Sequence, residues 1–276
     1  MTSQAALEPT CLALLALRWD SSPARARGLT LLLDLQNPNG SWPAFRGDDA
    51  EGSGLTALAV IALINSGEMT LHTERGLELL LRSKGNESHW LWRWKFETTD
   101  THVQFDPNKF GWPWLPGTCS WVIPTALSII ALRQAFVCCK PDQVRLRIGR
   151  GTEMLLDRAC PSGGWNAGNG VVYGVPLAPH LDATATALTA LCGEQNNQSV
   201  APALDWLGRA VLTCSAPWSL AWSILALNAH NRPIEGLVDR LLASRDQGLI
   251  ADSATLAAVI LAIDCMGPGN VFKVIA

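Results

Sequence analysis

The stretch CPSGGWNAGNGVVYGVPLAPHLDATATALTAL, residues 160–191, decides the fold. It begins with a Gly-rich turn that carries Trp165 and Asn166. It then passes through a loop with the only tyrosine of the chain, Tyr173, and enters an Ala/Thr-rich helix opened by His180-Leu181-Asp182. Loop, then Asp, then helix places Asp182 at or near an N-cap, where a carboxylate accepts backbone N–H bonds. Capping alone explains an Asp there, so any further role has to come from its surroundings.

The helix that follows, TATALTAL (184–191), is one of six copies of a single phrase. The others are TCLALLAL (10–17), TALAVIAL (56–63), TALSIIAL (125–132), LAWSILAL (220–227) and LAAVILAI (256–263). Successive copies end 46, 69, 59, 36 and 36 residues apart, which gives a base period of 36 with three insertions. Fixed periods of this size mark stacked helix pairs. Each phrase is apolar nearly all round and therefore predicts a helix buried on every side.

A more amphipathic helix follows each of the first five phrases, at 23–36, 72–84, 141–159, 199–213 and 232–244. The tail 268–276 stands where a sixth would be. Buried helices need a second layer around them, so the pattern predicts an all-α protein, an α6/α6 barrel of six inner and about six outer helices, formed as one toroid domain over 1–276. The insertions 37–55, 85–123 and 160–182 all precede an inner helix. They should gather at one mouth of the barrel, where loops on a rigid scaffold carry function.

Composition narrows the class. The chain is 48% hydrophobic and 16% charged with a net charge of −3, and it has no basic cluster that would fit nucleic acid. Eight scattered cysteines without a C-x-x-C pair read as buried thiols of a reducing compartment. The start, MTSQAALEPT, lacks a secretory pattern. The charge-free runs 110–132 and 210–231 are interrupted by prolines and read as loop plus helix rather than membrane spans. The expectation is a cytoplasmic protein, with weak peripheral membrane contact left open.

Three motifs carry a family resemblance. Q-N-P-N-G-S-W (36–42) resembles the Q-x-x-x-G-x-W repeat motif of squalene and oxidosqualene cyclases. C-P-S-G-G-W (160–165) is a degenerate copy with Cys160 in place of Gln, and a third copy is faintly visible around 85–90. S-W-V-I-P-T-A-L (120–127) resembles the prenyltransferase/squalene-cyclase repeat. The resemblance covers essentially the whole chain and implies the same α/α barrel. Class II terpene cyclases carry D-x-D-D-T-A at the start of an inner helix, and the matching segment here is His180-Leu181-Asp182-Ala183-Thr184-Ala185. The resemblance puts Asp182 on the proton-donating Asp, while His180 and Ala183 replace its acidic neighbours.

That resemblance implies a class II-type isoprenoid cyclase that needs no metal and no cofactor for protonation. Its partner would be a hydrophobic small molecule, a linear isoprenoid held in an apolar barrel cavity. Such chemistry needs a carboxyl that is neutral at rest, tuned by burial and by donors such as His180. It also needs aromatic faces near the cation, worth roughly 0.5–2 kcal/mol each, and exclusion of water. Trp42 and Trp165 belong to the repeat motif and read as packing. Trp112, Trp114, Trp121, Trp218 and Trp222 flank inner-helix starts and, with Tyr173, Asn166 and Cys119, are the candidate substrate contacts.

Other constellations weigh less. Cys119-Ser120-Trp121 resembles a zinc region of protein prenyltransferase β subunits, but Gly117 stands where the Asp ligand is required. Cys192-Gly193-Glu194-Gln195 has thioester spacing but sits in an inner-to-outer turn. Asp48, Asp49 and Glu51 read as a solvated loop. A non-catalytic isoprenoid or lipid carrier and a prenyltransferase β-like subunit that needs a partner remain the alternatives.

Overall fold

The computed structural model describes residues 6–48, 52, 54–136, 141–267 and 269–274. In chain order the helices begin with α1 (Leu7–Ala16), α2 (Pro23–Asp34), α3 (Thr56–Asn65), α4 (Leu71–Arg82), α5 (Trp90–Thr98) and α6 (Val122–Gln134). They continue with α7 (Pro141–Asp157), α8 (Leu181–Ala190), α9 (Val200–Ala210), α10 (Pro217–Ala229), α11 (Glu235–Asp246) and α12 (Ser253–Asp264). A short hairpin, β1 (Val171–Val172) with β2 (Val175–Pro176), lies in the loop before α8.

The six phrases form a closed ring. Helix α1 packs on α3, α3 on α6, α6 on α8, α8 on α10, α10 on α12, and α12 returns to α1. Outside this ring α2, α4, α7, α9 and α11 each lie on the inner helix before them. Among the described residues there are therefore five outer helices rather than six. The chain beyond α12 instead crosses the closed end of the ring. There Gln134 Nε2 donates to Val271 O at 2.8 Å, Asn270 Nδ2 donates to Leu225 O at 2.7 Å, and Arg18 pairs with Asp264 at 2.8 Å.

One bonding device recurs at three inner helices. The backbone N–H groups of Trp42, Trp112 and Trp165 donate to Thr56, Thr125 and Thr184 Oγ1 at 3.2, 2.9 and 2.9 Å. Their indole N–H groups donate to Leu32, Leu80 and Leu155 O at 2.7, 2.7 and 2.6 Å. Each Trp therefore ties the end of an outer helix to the first turn of an inner one, and all three are fully buried. Gln36 extends the first copy, donating to His72 O at 2.8 Å while its Oε1 faces His72 Nδ1 at 2.8 Å. In the third, Gly164 adopts φ +85, and a Cβ there would fall 2.7 Å from Thr184 Oγ1.

Among the described residues the axial side of the ring is packed. The groove between α1 and α2 is lined by Pro9, Thr10, Ala13 and Leu14 of α1 together with its flanking residues Ala6 and Leu17, which leaves Glu8, Leu12 and Leu15 on the opposite, axial side. The residues in register with Leu12 and Leu15 around the ring include Leu58, Ile61, Leu127, Thr186, Trp222 and Leu261, and all are buried to within 5%. A hollow lined by these side chains would leave them accessible. From the closed end Phe272, fully buried, packs on Trp222 at 5.2 Å between ring centroids, and Trp222 packs on Trp218 at 5.9 Å. Among the described residues these side chains pack against one another below an open mouth, where the sequence predicts a deep apolar cavity.

Candidate functional site

The mouth is built from the first turns of the inner helices. Aligning the six phrases puts Glu8, Gly54, Ile123, Asp182, Trp218 and Ala254 at one register, two residues before each phrase. In five of the six this is the second helical residue; only Gly54 precedes its helix. Below this ring of positions the axial faces of the inner helices are packed. At it, Ile123, Asp182, Trp218 and Ala254 are half-buried and Glu8 is exposed.

Asp182 lies inside the first turn of α8, and the N-cap is His180. Its Oδ1 is buried and has no hydrogen-bond partner. The backbone around it is fixed, since His180 N donates to Trp165 O at 2.8 Å and Thr184 N donates to His180 O at 2.9 Å. The His180 ring itself is exposed at the rim. A carboxylate at this place feels the partial positive charge of the helix N-terminus.

Helix α10, next to α8, supplies Trp218, and α6 on the other side supplies Trp121 as its N-cap, 39% exposed. Trp114 closes over α3. Gly54 N donates to Trp114 O at 3.2 Å, and a Cβ on Gly54 would fall 2.3 Å from the Trp114 ring, so only glycine admits this indole. Asp182, His180, Trp114, Trp121 and Trp218 are the expected site residues placed around the mouth.

Five other expected residues are placed elsewhere. Trp112 is the third structural tryptophan of the repeat, which the sequence suggested around 85–90. It is bonded to Leu80 and covered by the Arg147 guanidinium 3.3 Å from its ring centroid. Trp222 is part of the axial packing. Asn166 spends both ends of its amide on its own loop, donating to Asn169 O at 2.7 Å and accepting from Gly168 N at 2.9 Å. Tyr173 sits at the hairpin tip with φ 54 and stacks on His102, and 73% of it is exposed. Cys119 lies in the insertion before α6, where burial and then the Glu87 carboxylate push its thiol up to about 11, so it is no ready thiolate ligand.

Among the described residues no group of three or more His, Cys, Asp or Glu is placed to hold a metal ion. The Cys192 thiol donates to Ala229 O at 3.3 Å and is buried as an ordinary core thiol. Asp49, Glu51, Cys138 and Cys139 lie outside the described residues.

Sequence reasoning missed two features of the mouth. Glu8 is one, although the shared register of the phrases locates it. The surrounding protein and then Asp252, the N-cap of α12, hold its carboxyl above the usual carboxylate range. The second is a buried ion pair that ties the two long loops together. Glu87, with no exposure, accepts from Ser120 N at 3.1 Å and lies 3.6 Å from Arg158. Arg158 in turn sits 3.8 Å from the Phe105 ring centroid and donates to Asn169 Oδ1 at 2.5 Å.

No family model and no curated protein matches this chain. Solved structures do. The type II terpene cyclase MstE from Scytonema, without ligand, superposes with a TM-score of 0.50 and 13% identity, over 92% of this chain and 73% of that one. A variant of MstE in complex with geranylgeranyl dihydroxybenzoate, its substrate, gives a TM-score of 0.51 and 14% identity, over 92% and 72%. The fold is similar to that of the type II terpene cyclase MstE. At such identity the likeness extends to the architecture alone. The terpene cyclase-like toroid accounts for the closed ring and for the gathering of insertions at one mouth.

Proposed function

We propose that this chain is a class II-type isoprenoid cyclase that works at the mouth of its barrel. The observation that carries this reading is the buried, unpartnered Oδ1 of Asp182, held in the first turn of an inner helix beside Trp218. Asp182 donates a proton to a terminal alkene or epoxide of a linear isoprenoid, and His180, the N-cap of the same helix, tunes it. The resulting carbocation closes a ring, and loss of a proton from a neighbouring carbon restores an alkene and neutrality. Substrate and product are then isomers. Trp114, Trp121 and Trp218 present aromatic faces to the cation.

The mouth as it stands is open, and carbocations need shelter from water. The rim offers a means of covering it. Trp90 (71% exposed), Leu91 (49%) and Trp94 (57%) of α5, with Leu115 and Trp121, all belong to the insertion 85–123 and expose apolar, indole-rich surface. Indole rings with a polar N–H suit the interface of a lipid bilayer. In this reading the rim rests on a membrane surface from which the isoprenoid enters. No described helix is long and apolar enough to cross a membrane.

The packed axial side of the ring favours a second reading, in which the same mouth binds an isoprenoid without converting it, alone or with a partner chain covering the rim. Incubation with geranylgeraniol and squalene separates the two. The cyclase reading requires cyclic isomers from the wild type and none from Asp182→Ala. Retention of unchanged isoprenoid by both proteins is the outcome of the carrier reading.

A further inference from the structure

Outside the ring, between α4 and α7, runs an open groove of about 450 Å³. Ligand sites for small organic molecules begin at about this size. Its charged lining is one-sided. Arg82, Lys84, Arg147 and Arg150 meet there with a single carboxylate, Glu78, around the half-buried ring of Phe110. This concentration of cations sits in a chain whose net charge is −3.

Arg147 forms the inner wall and is only 6% exposed. Its guanidinium donates to Ser83 O at 2.8 Å and Gly111 O at 2.6 Å, which closes the C-terminal end of α4. Those bonds explain its place but leave its charge without a carboxylate in contact, and its Nε has no hydrogen-bond partner. The carboxylate that acts on it, Glu87, is shared with Arg158 and bonded to Ser120. Burial accordingly pushes Arg147 down to about 9. A buried cation without an adjacent counter-ion is costly, and an incoming anion would relieve that cost.

The other cations have little or no neutralising partner, Arg82 being bonded to the Asn39 carbonyl at 2.7 Å. Among the described residues no ion pair involves Arg82 or Lys84, and Arg150 meets only the exposed Glu153 at 3.4 Å. Lys84 and Arg147 both stand over the Phe110 ring, at 5.9 and 5.6 Å from its centroid. Leu146, 68% exposed, and Leu81 add an apolar floor. Positive charge on the walls and apolar surface beneath is the complement of an amphiphilic anion.

From this geometry we infer that the α4–α7 groove is a binding site for a small organic anion. The ligand class is a phosphate, sulfate or carboxylate group on an aromatic or aliphatic body, with the anion on Lys84, Arg147 and Arg150 and the body against Phe110. The site is separate from the mouth and independent of the reaction proposed there.

Calorimetric titration of the full chain with 1-naphthyl phosphate tests it. Wild type should bind one equivalent. The double variant Lys84→Glu, Arg150→Glu, changed only at exposed positions, should unfold like the wild type and bind at least about tenfold more weakly. Lys84→Arg should bind within about twofold of wild type. The inference is overturned if the charge-reversed protein binds the ester equally well. It is also overturned if wild type binds neutral 1-naphthol as tightly, or if it binds no ester at all.

Discussion

Glu8 and Asp182 occupy the same position in two repeats, each the second residue of an inner helix and two residues before its phrase. Their helices, α1 and α8, stand opposite each other in a ring of six. Two carboxyl-bearing positions therefore stand on opposite sides of the mouth, at one level of the ring. The other four positions at that level are Gly54, Ile123, Trp218 and Ala254, none of which can ionise.

The environment of Glu8 makes a signed prediction about pH. Its folded-state carboxyl lies above the ordinary value of 4.5: although the residue keeps an exposed surface, neighbouring protein displaces part of the water around its carboxyl, and Asp252 adds repulsion. The folded chain thus holds this proton more tightly than the unfolded chain, and stability falls as pH rises from about 4.5 through the folded value. Glu8→Gln should be more stable than wild type at neutral pH, with the difference vanishing below pH 4 or so. Urea unfolding at a series of pH values checks it, and a pH-independent difference between the two proteins would remove Glu8 from this role.

Asp252 should behave in the opposite sense. Thr255 donates to it from its backbone N–H at 2.8 Å and from its hydroxyl at 2.7 Å, and these bonds hold the carboxyl below the ordinary 3.8. Its stabilisation is complete above that value and is lost as pH falls through the folded one. Asp252→Ala should cost about 0.5–2 kcal/mol at neutral pH, the usual loss of an N-cap. The cost should shrink in acid, and the same unfolding series reads both effects.

Trp112 and Trp121 should separate cleanly on mutation. Trp112→Ala removes a fully buried indole and should cost about 3–5 kcal/mol. Trp112→Phe keeps much of the packing but leaves the Leu80 carbonyl without its donor, a loss of about 1–3 kcal/mol. Trp121→Ala, at a 39% exposed position, should cost about 1 kcal/mol or less while weakening isoprenoid binding. Denaturant midpoints measured beside ligand titration make the comparison.

Sequence made the ring legible because helices buried on every side must be apolar all round, and six such phrases at related spacing leave few arrangements. It could not tell Trp112 from the tryptophans of the mouth. The outer helix that receives its indole N–H ends 30 residues upstream of it, at Arg82, with α5 in between, whereas Trp42 and Trp165 follow theirs within a short turn. Nor could it tell a hollow ring from a packed one. Ala, Leu and Trp line a cavity or fill one equally well, and the residue that adds to the packing from the closed end, Phe272, lies in a tail without periodicity. Glu8 was readable from the register but stands before the first phrase, away from the insertions that drew attention to Asp182.

Phe272 offers a direct check on the axial packing. Phe272→Ala should cost about 3–5 kcal/mol and leave a cavity under Trp222. An apolar cavity of that kind stays dry and takes up xenon or benzene. Xenon-induced NMR shifts at Trp222 in the variant, absent from the wild type, are the expected result. Xenon shifts of equal size in the wild type would mean that the bore is already hollow.

The most direct test of the proposed reaction is to run it in heavy water. Wild-type protein, geranylgeraniol or squalene and phosphatidylcholine vesicles are incubated in D2O, and the cyclic products are weighed by mass spectrometry. An acid-initiated cyclisation predicts one deuterium in each product, on the carbon that received the proton from Asp182, and no product from Asp182→Asn. Cyclic products without deuterium, or the same labelled products from both proteins, would contradict the account.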